Sequence, residues 1–215
     1  MAIKEFINFH LEKLIFNSCP VDDGDLIKSA FHDTVLDFQY HFPEMDSEQV
    51  EDSILRNEGG LPVFLYRLVK KMDKQEYEDS SKYHMHFLMK VLCGCELYWS
   101  SDIDVGFYFD HSVGTIIGSR CKIGKGFRVY QGCTVGHSIN EYSIVKPKTF
   151  IPEEYKKAGP QIGDNVILFA NSLILGNIKI GDNVTIAANS LVIADVEEGQ
   201  VVAGNPAKVI KVKGA

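Results

Sequence analysis

The chain lacks the features that would direct it to a membrane. No run of about 18 apolar residues occurs, so nothing in it reads as a membrane span. The opening stretch, Met1 to Phe16, is interrupted by Lys4, Glu5, Glu12 and Lys13 and has no signal-peptide core, so the expected location is the cytoplasm. Basic charge is scarce: 22 Lys and Arg stand against 29 Asp and Glu, a net charge of −7. A general nucleic-acid binder needs a basic face, so the charge argues against that class, while leaving room for a local basic cluster that meets an anionic cofactor. Cysteine is sparse and odd in number, five residues, which does not build a disulfide framework in a cytosolic chain. Cys93 and Cys95 are too few and too close for a zinc pattern, and no metal is expected.

What the chain does have is a period. From Ile162 to Val196 the sequence divides into sixes that open on Ile162, Leu168, Ile174, Ile180, Ile186 and Val192. Asn or Asp fills every fourth place, and the fifth is Val166, Ser172, Ile178, Val184, Ser190 or Val196. A six-residue period predicts a parallel β-helix, in which three sixes close one triangular coil and the aliphatic places stack into a continuous core. Asn and Asp suit its turns because they tolerate left-handed backbone. Earlier sixes open on Ile117, Ile123, Val129 and Val135, which sends Cys121 and Cys133, at fifth places, into the core as small apolar residues.

The first 98 residues carry no such period. Phe6, Ile7, Leu11, Leu14 and Ile15 lie at helical spacing, and Ile27 to Phe38 continue a helical face after Val21 to Asp25. Ser47 opens a short helix, Gly59-Gly60 breaks the chain, Leu61 to Met72 is helical, Asp73 to Lys82 reads as solvated, and Tyr83 to Leu97 reads as a last long helix. The expectation is an α+β chain: a helical N-terminal domain over 1–98, then a β-helix domain over 99–215 with an extruded loop at 138–161. His84 and His86, two apart in the last helix, face different directions and read as structural.

The period breaks twice. Phe109 to Ile117 spans eight residues instead of six and holds Asp110-His111. After Val135-Gly136-His137 the chain leaves for about two dozen residues and returns at Ile162. A break that the repeat does not explain is where function concentrates, and a long excursion from a compact fold is more often functional than idle.

Asp110-His111 in its long corner, the Ile-Gly-Asp-Asn sixes and the ending Ala203-Gly-Asn-Pro-Ala-Lys208 resemble the serine acetyltransferases, acyltransferases of the left-handed β-helix superfamily. The resemblance runs from roughly Leu61 onward. It implies an acetyl-CoA-dependent O-acetyltransferase in which His111 is the general base and Asp110 holds the acceptor's ammonium group. It also implies Asp102 as the acid that orients the base, with Asp104 as second choice, although the interval to His111 is shorter than the family's by about one six. Imidazole titrates near neutral pH, which suits a base. His137 stands where the serine enzymes carry glycine, and the saccharide acetyltransferases of the superfamily keep their histidine near such a loop entry, so His137 is an acceptor-binding candidate and a rival base. Ala170 and Ala188 match positions along which the pantetheine runs, and Lys208 and Lys211 can meet its phosphates. The family's Arg-His pair, which grips the acceptor carboxylate, is replaced by Ala158-Gly159. The implied assembly is a homotrimer or a pair of trimers. A saccharide or nucleotide-sugar acetyltransferase is one alternative, and a non-catalytic or metal-dependent β-helix protein is another.

Overall fold

The computed structural model describes residues 2–14, 23–56, 59–137 and 159–212. The loop expected at 138–161 lies outside them as far as residue 158. Five helices come first among the described residues: α1 (Ala2–Leu14), α2 (Gly24–His41), α3 (Ser47–Leu55), α4 (Gly60–Lys74) and α5 (Asp79–Cys93). Their starts follow from capping. The Asp23 carboxylate accepts from the backbone N–H groups of Asp25 and Leu26 at the head of α2, and Asp46 and Gln49 form a reciprocal capping box on α3. Gly59 precedes α4 at φ 87°, and a Cβ there would lie 2.5 Å from the carbonyl oxygen of Phe109, so only glycine allows the helix to meet the sheet this closely. Helix α4 is buried on nearly every side, from Leu61 through Tyr66 and on to Leu68, Val69 and Met72, which makes it the hub that α2, α3 and α5 surround. Each such side chain contributes about 1.5–3 kcal/mol on burial.

The last helix differs from the sequence expectation at both ends. It starts at Asp79 and stops at Cys93, because Gly94 turns to φ 62° and its N–H caps the Lys90 carbonyl. The first strand therefore opens at Glu96, inside the stretch that helical spacing assigned to α5. The segment read as solvated ends in a buried charge: Lys82 is only 7% exposed, bonded to Asp73 and Asp79 at 2.7 and 2.9 Å, with its ammonium over the Trp99 ring.

Three sheets follow, one for each side of a coil. Sheet A stacks β1 (Glu96–Leu97), β4 (Ile116–Ile117), β7 (Thr134–Gly136), β10 (Leu173–Leu175) and β13 (Leu191–Val192). Sheet B stacks β2 (Asp102–Ile103), β5 (Lys122–Ile123), β8 (Gln161–Ile162) and β11 (Lys179–Ile180). Sheet C stacks β3 (Tyr108–Phe109), β6 (Arg128–Val129), β9 (Ile167–Leu168), β12 (Thr185–Ile186) and β14 (Gln200–Gly204), with β15 (Ala207–Val212) returning antiparallel on the edge. All other ladders are parallel. Ile167 pairs with Thr185, eighteen residues on, which is three sixes, whereas Tyr108 pairs with Arg128, twenty residues on, because the corner at His111 holds two extra. The opening aliphatics point inward, among them Ile103, Ile123, Ile162 and Ile180. Cys121 and Cys133 are fully buried. The fourth places turn left-handed at Asn165, Asn171, Asn183 and Asn189, with φ between 55° and 60°, as their side chains allow.

Outward faces differ in chemistry. Sheet B shows Asp102, Lys122, Gln161 and Lys179, whereas sheet A shows Ile116, Thr134, Leu173, Leu191 and, one step on, Leu175 and Ile193.

Candidate functional site

His111 lies exposed in the corner between sheets C and A. That corner is seated on the end of α5: Ser112 Oγ donates to the Cys93 carbonyl at 3.1 Å and Gly114 N–H to Gly94 at 2.8 Å. Later coils pass the same corner with Gln131, Ala170 and Ala188, each two residues past its sheet C core aliphatic as His111 is past Phe109. Backbone bonds tie the column together: Gly132 N–H to Val113, Asn171 N–H to Gln131 and Asn189 N–H to Ala170, each 2.9 Å. At about 4.8 Å per coil, Ala170 and Ala188 stand roughly 10 and 14 Å along one edge from the coil of His111. Lys208 pairs with Ala203 at the end of sheet C next to this edge, and Lys211 pairs with Val201 farther back along the hairpin. Three residues that the resemblance singled out thus share one edge.

Asp110 precedes His111 and is not free. Arg128, one coil on, donates to its two oxygens from Nε at 2.7 Å and Nη2 at 3.0 Å. Burial opposes ionisation of Asp110, but the bonds from Arg128 and Tyr130 and the positive charge of Arg128 outweigh it and hold the carboxyl below its usual range. The guanidinium also lies 5.3 Å from the Tyr108 ring centre and 5.9 Å from that of Tyr130, and Tyr130 stacks on Phe169 at 5.0 Å. Neither Arg128 nor Tyr130 stood out in the sequence. Counting the period places both in the coil directly after Asp110, but nothing local shows that they meet it.

Asp102 does not reach this corner. It lies on sheet B beside Lys122, its side chain 80% exposed, with Lys70 at 3.7 Å. Asp104 bonds the Val105 N–H at the next corner. One six moves a residue to another side of the triangle, and a step of one six back from Asp102 lands on Glu96. Glu96 begins β1, directly beneath Ile116 of the strand that leaves the His111 corner, and its N–H donates to the Thr115 carbonyl. It is the carboxylate that the topology brings to this side. Burial opposes its ionisation, but bonds from Lys90 (2.9 Å) and Tyr98 keep the carboxyl low. His86 lies 3.8 Å away, packed edge-on against Tyr98 and Trp99. Its own pKa is pulled down, mainly by burial and then by Lys90. Glu96 escaped the sequence reading because its segment was assigned to α5.

His137 sits on the other edge of sheet A, the corner shared with Arg120. Burial, then the charge of Arg120, pulls its pKa down, and its Nε2 atom is enclosed with no hydrogen-bond partner among the described residues. His111 and His137 therefore occupy different edges of the triangle, on successive coils. At Gly159 a Cβ would fall 2.5 Å from the Arg120 carbonyl oxygen, so this backbone admits no side chain at the second position of the family's Arg-His pair. Among the described residues no group of three His, Cys, Asp or Glu can hold a metal ion, and no helix is long and apolar enough to cross a membrane.

Comparison with known proteins bears on the repeat and the fold. The family model for the bacterial transferase hexapeptide (six repeats) matches residues 159–194. The chain is similar to the serine acetyltransferase of Staphylococcus epidermidis RP62A, 37% identical over 127 residues that cover 59% of this chain and 54% of that protein. It is also similar to that of Staphylococcus aureus Mu50, at 35% identity over the same shares. The chain thus spans about half the length of the curated relatives it matches. Among solved structures, Neisseria gonorrhoeae serine acetyltransferase superposes with a TM-score of 0.70 at 24% identity, covering 89% of this chain and 67% of that one. A serine acetyltransferase in complex with CoA superposes at 0.65 with 22% identity, covering 87% and 70%. These structures share the fold, and the resemblance to serine acetyltransferases of the hexapeptide-repeat superfamily holds in sequence and structure alike.

Proposed function

We propose that the chain is an acetyl-CoA-dependent O-acetyltransferase acting on a small hydroxyl acceptor. The observation that carries this reading is the single edge shared by His111, Ala170 and Ala188. The edge offers a base at one end and small residues that leave room for a pantetheine arm along the rest, with Lys208 and Lys211 beyond as charges for its phosphates. The relatives' name supports acetyl transfer, and the coil is inferred to be left-handed like the superfamily it resembles.

In this reading His111 removes the proton of the acceptor hydroxyl as its oxygen attacks the thioester carbonyl carbon. The carbon–sulfur bond breaks, the ester carbon–oxygen bond forms, and the proton passes from the imidazolium to the departing thiolate. Glu96 takes the orienting role that the resemblance gave to Asp102, because a base needs its acid on the same side of the coil. The apolar outward face of sheet A is read as the contact between copies in a homotrimer, since an open β-sheet face of Ile and Leu is costly to leave in water.

The test is thiol release from acetyl-CoA in the presence of serine, homoserine and simple sugars, alongside calorimetric CoA binding to Ala188→Tyr. The expected result is acceptor-dependent thiol release, with CoA binding lost in a variant of unchanged circular dichroism. Undiminished CoA affinity in Ala188→Tyr overturns the placement of the donor.

A further inference from the structure

The two groups that would hold an α-amino acid are both compromised at this site. Both Asp110 oxygens are taken by Arg128, and the pair is fixed rather than loose. The two bonds run in parallel, and the side chains are only 20% and 31% exposed. An acceptor ammonium would have to displace a guanidinium or sit against it, cation on cation. The carboxylate grip is missing as well, since Ala158-Gly159 stand in place of the Arg-His pair and residue 159 has no room for a side chain.

What remains around His111 is a different kind of surface. The Asp110–Arg128 pair is neutral as a whole yet rich in acceptors and donors, and Arg128 uses only Nε and Nη2 on the carboxylate. Beside it lies an apolar shelf of Tyr130 and Phe169, stacked at 5.0 Å and 28°, with Phe169 36% exposed. A neutral ring carrying several hydroxyls matches both halves. Its C–H face rests against aromatic carbon, and its hydroxyls exchange hydrogen bonds with the ion pair.

We propose that Arg128 selects the acceptor: it cancels Asp110 as an ammonium site and turns the corner at His111 into a subsite for a pyranose ring. This rests on the acetyltransferase reading and adds its substrate class. The reaction is then transfer of the acetyl group to a ring hydroxyl. The ester bond forms as the thioester bond breaks, and the hydroxyl proton leaves by way of His111 to the thiolate.

The experiment compares L-serine with the methyl pyranosides of glucose, galactose and N-acetylglucosamine on the full chain and on Arg128→Ala and Arg128→Lys. Saturation-transfer NMR reads acceptor binding, thiol release reads turnover, and calorimetry reads acetyl-CoA binding separately. At least one pyranoside is expected to show saturation transfer and a kcat/KM at least about tenfold above that of serine. Arg128→Ala should reverse the ratio by at least about tenfold, with the KM for acetyl-CoA within about twofold of the unaltered chain. Arg128→Lys keeps the charge without the fork and should fall between them. The inference is overturned if serine is the better acceptor of the unaltered chain, if no pyranoside shows saturation transfer, or if Arg128→Ala leaves the ratio unchanged. In each of these cases acetyl-CoA binding and serine turnover can still stand, so the acetyltransferase reading survives. Loss of acetyl-CoA binding in the unaltered chain instead removes that reading and this inference together.

Discussion

Arg67 of α4 closes on Asp37 of α2 with two bonds of 2.7 Å, from Nε to one carboxylate oxygen and from Nη2 to the other. The same guanidinium donates to the carbonyls of Ile103 and Asp104, and the same carboxylate accepts from the N–H groups of Gly106 and Phe107. One ion pair, with Asp37 fully buried, therefore fastens two helices to the first coil. Tyr66, one residue earlier, adds to the joint: its hydroxyl donates to the Ser101 carbonyl and accepts from the Ile103 N–H.

Breaking that pair from one side should cost more than removing it whole. Arg67→Met leaves a buried carboxylate that has lost its cation, and the expected loss is about 3–5 kcal/mol of unfolding free energy by urea titration. The double variant Asp37→Leu/Arg67→Met should recover part of it. A single variant within about 1 kcal/mol of the unaltered chain would mean that the pair does not hold the helices to the coil.

The two histidines on opposite edges of sheet A should separate kinetically. His111→Ala is expected to lower kcat by at least about a hundredfold, roughly 3 kcal/mol of barrier, whereas His137→Ala should mainly raise the acceptor KM. Turnover that survives in His111→Ala and disappears in His137→Ala would move the base to the loop entry and abandon the serine-type mechanism.

The orienting acid makes a sharper test, because sequence and topology choose different residues. Glu96→Gln should lower kcat by about tenfold or more and shift the pH profile of kcat/KM, with Glu96→Asp recovering part of the loss. Asp102→Asn, on sheet B, should stay within about twofold of the unaltered chain. The opposite ranking would require the acid to act from another side of the triangle.

Asp110 should show itself in stability as a function of pH. Its folded carboxyl titrates below its unfolded value of about 3.9, held there against burial by Arg128 and Tyr130. Its contribution is therefore fully present above the unfolded value and is lost as the pH falls through the lower, folded one. Asp110→Asn should lower the urea midpoint at pH 7, and the gap to the unaltered chain should narrow between pH 7 and about pH 3 as the pH falls below the unfolded value. A gap of equal size at both pH values would mean that the carboxylate's charge is not what stabilises this corner.

How much of this was legible in the chain depends on the range of the forces involved. The six-residue period was sufficient for the coil, because each turn repeats the same local demand: an aliphatic inward, then Asn or Gly where the backbone turns left-handed. The inward cysteines, the long corner at His111 and the edge shared with Ala170 and Ala188 follow from counting residues along that period. Only the folded chain decided the rest. Gly94, not the apolar spacing around it, ended α5, so Glu96 moved into the first strand, beneath the strand that leaves the His111 corner. Arg128 met Asp110 because a corner two residues too long sets coils one and two in register at a spacing of twenty, a pairing across sheet C that no local pattern announces. Asp37 and Arg67, thirty residues apart on two helices, became a buried pair because three-dimensional packing excluded water between them. Local periodicity is written in neighbouring residues, and the charge of a site depends on which residues packing brings together.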